Sequence, residues 1–88
     1  MQRKMKLIRN LLEHVEMSQT EHPIPVPEFE GYTEAEVHHH VGLCAEAEYM
    51  VVHMPETETP PRRFRGILRL TWAGYEALDR MRNSQSGV

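Results

Sequence analysis

Three consecutive histidines, His38, His39 and His40, precede Cys44 by four residues or more and form the sequence's densest set of ligand-type or nucleophilic groups. On a helix, His40 and Cys44 at i, i+4 lie on one side, but adjacent histidines diverge by about 100° and are poorly placed to share one ion. His40 and Cys44 also fall in a row of apolar residues, where a packed histidine and a small buried thiol are the ordinary outcome. The same pair is the nearest approach to a nucleophile with its base, and the apolar surroundings argue against substrate access. Glu34/Glu36 and Glu46/Glu48 point to different sides of a helix and read as solvated charge. No glycine-rich phosphate loop is present. The expectation is a protein without catalytic residues, bound metal, cofactor or small-molecule substrate.

The charged residues carry more information. Arg62, Arg63, Arg65 and Arg69 lie within eight residues, and Arg3, Lys4, Lys6 and Arg9 crowd the start. From Asn10 to Pro61 there is no lysine or arginine, while eleven of the thirteen acidic residues fall there. The middle therefore carries −11 and the two ends together +8, ten basic residues less Glu76 and Asp79. Two readings follow. The basic residues form a solvated face paired with local glutamates, or they form a patch for nucleic-acid backbone or an acidic protein surface. Contact with DNA through such a patch would show little sequence preference, because phosphates carry no base code.

What must position these groups is a small set of elements. Leu7, Ile8, Leu11, Leu12 and Val15 recur at three- and four-residue steps, which predicts an amphipathic helix over Arg3–Met17 with Lys6, Arg9, Glu13 and Glu16 opposite. Ser18–Pro27 breaks it, since Pro23, Pro25 and Pro27 each lack a backbone donor; an edge strand is the most that Ile24–Phe29 can form. Thr33 with Glu36 makes a capping box for a second helix, Glu34 to about Ala47. Its inward residues are Val37, His40, Val41, Cys44 and Ala47. Phe29 and Tyr32 read as core or hydrophobic-staple residues.

Tyr49–Val52 is β-branched and aromatic and predicts a strand. Pro55–Pro61 is a polar loop. In the next segment Phe64, Leu68 and Leu70 alternate with Arg63, Arg65 and Arg69, with Ile67 interrupting the basic row, as in a half-exposed strand. Thr71 caps a last helix whose buried side is Tyr75, Leu78 and Met81. Trp72 packs over the base of the hairpin or stands as an exposed anchor, the first being the expected case.

The order helix, short extended piece, helix, strand, loop, strand, helix is that of an α+β winged helix, with three helices and a two- or three-stranded β wing. Eighty-eight residues allow one domain, read as 3–83, followed by a flexible tail, 84–88. A chain of this size buries roughly 60–65% of its extended surface and has one modest core. The single cysteine excludes an internal disulfide framework and suggests a reducing, cytoplasmic compartment. The amphipathic start, with no long apolar run, argues against a signal peptide or membrane span.

Three stretches resemble one family. Tyr32-Thr33-Glu34-Ala35-Glu36-Val37-His38-His39-His40-Val41-Gly42-Leu43-Cys44-Ala45-Glu46-Ala47 is similar to the recognition-type helix of small bacterial winged-helix regulators. Leu70-Thr71-Trp72-Ala73-Gly74-Tyr75-Glu76-Ala77-Leu78 is similar to the start of their last helix. With the opening Arg3-Lys4-Met5-Lys6-Leu7-Ile8-Arg9, these resemble the family called domain of unknown function 2513, over roughly Arg3 to Arg82. The resemblance implies a winged helix and a phage or mobile-element setting, with no established activity. Glu48 stands where the second helix usually ends in glycine, so the turn into the wing is expected to differ in detail.

A winged helix that reads DNA places the outer face of its second helix in the major groove, using mainly Arg, Lys, Asn and Gln. From Thr33 to Glu48 none of these occurs. The expected outer face is Glu34, Ala35, His38, His39, Gly42 and Glu46, and carboxylates there oppose phosphate. The sequence thus favours a non-enzymatic adaptor that binds a protein partner or itself. The alternative is a weak DNA-binding regulator using the arginine wing and the first helix.

Overall fold

Leu7, Ile8, Leu11, Leu12 and Val15 are all buried and turn α1 (Met5–Met17) into the central support of the molecule. The computed structural model describes residues 2–18, 23–53 and 66–86. The expected loop at 55–61 and Arg62, Arg63 and Arg65 lie outside the described residues. The helix α2 (Glu34–Glu46) packs on α1, followed by β1 (Met50–His53), β2 (Gly66–Leu70) and α3 (Trp72–Ser86), which also packs on α1. Among the described residues this is an α+β arrangement of three helices and an antiparallel two-stranded sheet, compatible with a winged-helix-like fold. The helix α3 includes residues 84–86 of the segment expected to form a tail.

The capping box at α2 forms as its residues require. Thr33 Oγ1 accepts from the Glu36 amide at 3.1 Å, and the Thr33 amide donates to Glu36 Oε1 at 3.4 Å. Val37, His40, Val41 and Cys44 are buried, but Ala47 is exposed because the helix has ended and the chain is turning away. Glu48 takes the left-handed conformation that glycine would favour, with φ of 62°. Its amide donates to Ala45 O at 3.0 Å and that of Tyr49 to Cys44 O at 2.8 Å, the two bonds of a Schellman turn. The departure from glycine is therefore absorbed as local backbone strain, not as a different turn. Left-handed backbone costs a residue with a Cβ roughly 1–2 kcal/mol. Glu48→Gly is accordingly expected to raise stability by about 0.5–1 kcal/mol, after the greater freedom of unfolded glycine is subtracted. A urea midpoint unchanged or lowered in that variant would show the turn to be unstrained.

The two strands pair Met50 with Leu70, Val51 with Arg69, Val52 with Ile67 and His53 with Gly66, so Leu68 is an extra residue on β2. This bulge reverses the simple alternation. Ile67, expected on the arginine side, is fully buried, whereas Leu68 is only half-buried. Ile24 completes the sheet with one antiparallel bridge to Ile67, its amide donating to Ile67 O at 2.8 Å and accepting in return at 2.7 Å through its carbonyl. The proline-rich connector thus contributes the buried Ile24 to the open edge of β2. At Gly66 a Cβ would come within 2.8 Å of Ile24 O, so the close approach of this connector requires glycine.

The first turn of α3 is capped by Thr71, whose Oγ1 accepts from the Gly74 amide at 3.0 Å. Its inner stripe consists of Gly74, Ala77 and Leu78, all buried, with Met81 half-buried. Tyr75, expected on that stripe, is 41% exposed because Gly74 and not Tyr75 presses against β1's lead-in at Tyr49. Trp72 is 81% exposed, since it lies about 200° around the helix from Gly74. It does not pack over the hairpin base; its indole N–H donates to Glu76 Oε1 at 2.7 Å.

Candidate functional site

Of the eight basic residues singled out from the sequence, the five among the described residues do not act alike. Lys4 is drawn away from any patch: its ammonium pairs with the Glu36 carboxylate and lies 5.4 Å from the centre of the Tyr32 ring. The hydrogen bond between them raises the Lys4 pKa and holds the Glu36 carboxyl below its ordinary value. Arg9 is half-buried with Nε 3.3 Å from Glu13 Oε1, an i, i+4 pair along α1. Arg69 is exposed on the outer side of β2, where its guanidinium donates to Leu70 O at 3.2 Å. Arg3 and Lys6 are exposed, with no ion-pair partner among the described residues.

A further cation, outside those eight, joins the arrangement. Arg80 of α3 meets Lys6 and Arg9 of α1 across a groove of about 620 Å³. Met5, Tyr49, Ala77 and Met81 give this groove its apolar lining, which Asn10 and Glu13 share. The signal for Arg80 was weak in sequence, because its position depends on how α3 is rotated about Gly74. Arg82, two residues on and about 200° around the helix, has a different task. It reaches Glu16 Oε1 at 2.8 Å and Glu13 Oε2 at 3.4 Å and ties α3 to α1. Its bond to Glu16 raises its pKa further.

An acidic surface lies elsewhere. Glu28, Glu30 and Glu34 surround a hollow of about 500 Å³ together with Val26, Phe29, Tyr32 and His38. Gly31, with φ of 90°, turns the chain here, and the Tyr32 amide donates to Phe29 O at 3.2 Å. On α2 the outer positions Glu34, Ala35, His39 and Glu46 are exposed as expected, but His38 and Gly42 are half-buried. His38 leans back, its Nε2 3.9 Å from Glu34 Oε1 and its Nδ1 buried without a hydrogen-bond partner.

Of the histidine–cysteine row, His40 and Cys44 are committed to the core. His40 is fully buried, accepting from the Lys4 amide at Nε2 (2.9 Å) with Nδ1 2.8 Å from Glu36 O. Nε2 thereby joins the start of α1 to α2, while Nδ1 is engaged by α2's own backbone. Among the described residues no three His, Cys, Asp or Glu side chains gather as a metal site. Burial pushes the Cys44 thiol up to about 12, which removes the nucleophilic thiolate at neutral pH. Native protein is therefore expected to react with a thiol reagent such as Ellman's only on the timescale of its unfolding. Rapid stoichiometric labelling without denaturant would contradict the buried position. No described helix is long and apolar enough to cross a membrane.

Comparison of the sequence with known families matches residues 2–86 to the model described as "Hypothetical protein (DUF2513)". The chain belongs to the DUF2513 family. No curated protein and no solved structure matches it. Two surfaces stand out on this member of DUF2513. Those are an amphipathic groove lined in part by cations, and an acidic lobe on another part of the molecule.

Proposed function

We propose that this chain is a winged-helix protein in which the β1–β2 hairpin is the wing and α2 the recognition-type helix. It acts without catalysis, as an interaction module that binds an acidic protein surface or another copy of itself. The observation that carries this reading is the groove between α1 and α3, where Lys6, Arg9 and Arg80 share the lining with Met5, Tyr49, Ala77 and Met81. Cations beside an apolar lining suit a partner that brings carboxylates and apolar side chains together. The outer face of α2 supports the same reading, because Glu34 and Glu46 are exposed there and would meet phosphate unfavourably. The winged-helix assignment is supported by the element order and by the bridge from Ile24 to Ile67. A phage or mobile-element setting follows from the family resemblance, and a reducing cytoplasmic one from the single free, buried Cys44.

A second reading, backbone-level DNA binding, is favoured by the exposed Arg69 on the outer side of β2, next in sequence to Arg62, Arg63 and Arg65. One experiment separates the two: titration of random duplex DNA over a salt series. The interaction module is expected to bind it negligibly at physiological salt. Micromolar affinity with a steep salt slope, abolished when Arg63, Arg65 and Arg69 become alanine, would replace the first reading with the second.

A further inference from the structure

We infer that the partner for the α1/α3 groove is a second copy of this chain, which offers its acidic lobe, the Glu28–Gly31 turn together with Glu34, in a head-to-tail contact. The inference rests on the interaction reading above and names its partner.

The two surfaces are opposite in charge and alike in composition. Lys6, Arg9 and Arg80 face the groove, whose lining includes Met5, 47% exposed. The lobe presents Glu28, Glu30 and Glu34, all exposed, around the half-buried apolar residues Val26 and Phe29. Within one molecule these surfaces cannot serve each other. The helices α2 and α3 both pack on α1 but not substantially on each other. Lys4 and Lys6, two residues apart on α1, therefore point to different neighbours. Lys4 reaches Glu36 of α2, while Lys6 lines the groove beside Ala77 of α3. The lobe's own side of the molecule is supplied with the Lys4 cation, and the groove's side is left with cations that its local carboxylate, Glu13, only partly balances.

The sequence makes a copy of this chain a suitable occupant. Its whole central stretch, Asn10 to Pro61, carries carboxylates without a single lysine or arginine. The Glu28–Gly31 turn brings two of those carboxylates, Glu28 and Glu30, to the surface together. Because lobe and groove are different surfaces, the contact is heterologous. Each added copy leaves one lobe and one groove unused, so association proceeds as a chain unless the rotation closes a ring.

Sedimentation of the full chain tests this, in salt from about 0.01 M to about 1 M, where the screening length falls from about 30 Å to about 3 Å. The wild type is expected to associate with rising concentration at low salt and to return to its 10.3 kDa monomer at high salt. A groove variant, Lys6→Ala with Arg80→Ala, and a lobe variant, Glu28→Ala, Glu30→Ala and Glu34→Ala, change exposed side chains only. Each should weaken self-association by about tenfold or more. An equimolar mixture of the two should form a 1:1 dimer and nothing larger, because one variant keeps its lobe and the other its groove. A wild type that stays monomeric throughout, an association unchanged by either variant, or a mixture that stays monomeric would each overturn the inference. Those failures are distinct from failure of the interaction reading itself, which is decided by duplex DNA.

Discussion

Replacing Gly74 with alanine is expected to lower stability by about 2 kcal/mol or more, although alanine is the better helix former by about 1 kcal/mol. A Cβ at this position would be driven into the Tyr49 carbonyl oxygen and would lie 3.0 Å from its carbon and 3.3 Å from its Cα. These are backbone atoms, held in turn by the Thr71 amide donating to Tyr49 O at 3.0 Å and by the Thr71 hydroxyl bonded to Glu48 O. Neither side can yield by a rotamer change, so the start of α3 must move off the sheet. Overpacking of this kind typically costs about 1–3 kcal/mol, and more when backbone must shift. Movement of α3 would also widen the groove and displace Arg80. A urea midpoint equal to the wild type's or higher would mean that the helix does not pass this close.

The second large effect is expected at His40. Since the Lys4 amide can only donate, Nε2 must accept, and the ring proton therefore sits on Nδ1, directed to Glu36 O. Truncation to alanine leaves a cavity where α1 meets α2 and an unpaired amide at the start of α1, at a cost of about 2–4 kcal/mol. His40→Phe refills the volume but still leaves the Lys4 amide unpaired, which should cost about 1–3 kcal/mol. Urea denaturation of the two variants separates packing from hydrogen bonding. A phenylalanine variant as stable as wild type would show that the bond to Lys4 contributes nothing.

These two residues illustrate how much of the architecture could be read in advance. The capping box at Thr33 and Glu36 was legible because it is local: two side chains and two amides within four residues. The inner face of α1 was legible because five large apolar residues repeat at helical spacing. His40 and Cys44 were correctly read as interior groups from their place in the apolar row of α2. By contrast, the hydropathy pattern of α3 turns Tyr75 inward, whereas the folded helix leaves it 41% exposed. Its true inner stripe is led by Gly74 and Ala77, small residues that carry little hydropathy signal, and close packing selects them over the large aromatic. The bulge at Leu68 was equally hidden, because it arises from how β1, β2 and Ile24 fit together.

The candidate site shows the same division. The sequence by itself determined the segregation of charge, the carboxylate-bearing outer face of α2, the membership of the core in α1 and α2, and the family. These depend on residue type and on spacing within one element. Only the tertiary structure decided which cations share a surface. It withdrew Lys4 to Glu36, assigned Arg82 to Glu13 and Glu16, and brought Arg80 beside Lys6 and Arg9. Such pairings join residues from 32 to 74 positions apart and are set by the angle and rotation at which helices pack, which local periodicity does not encode.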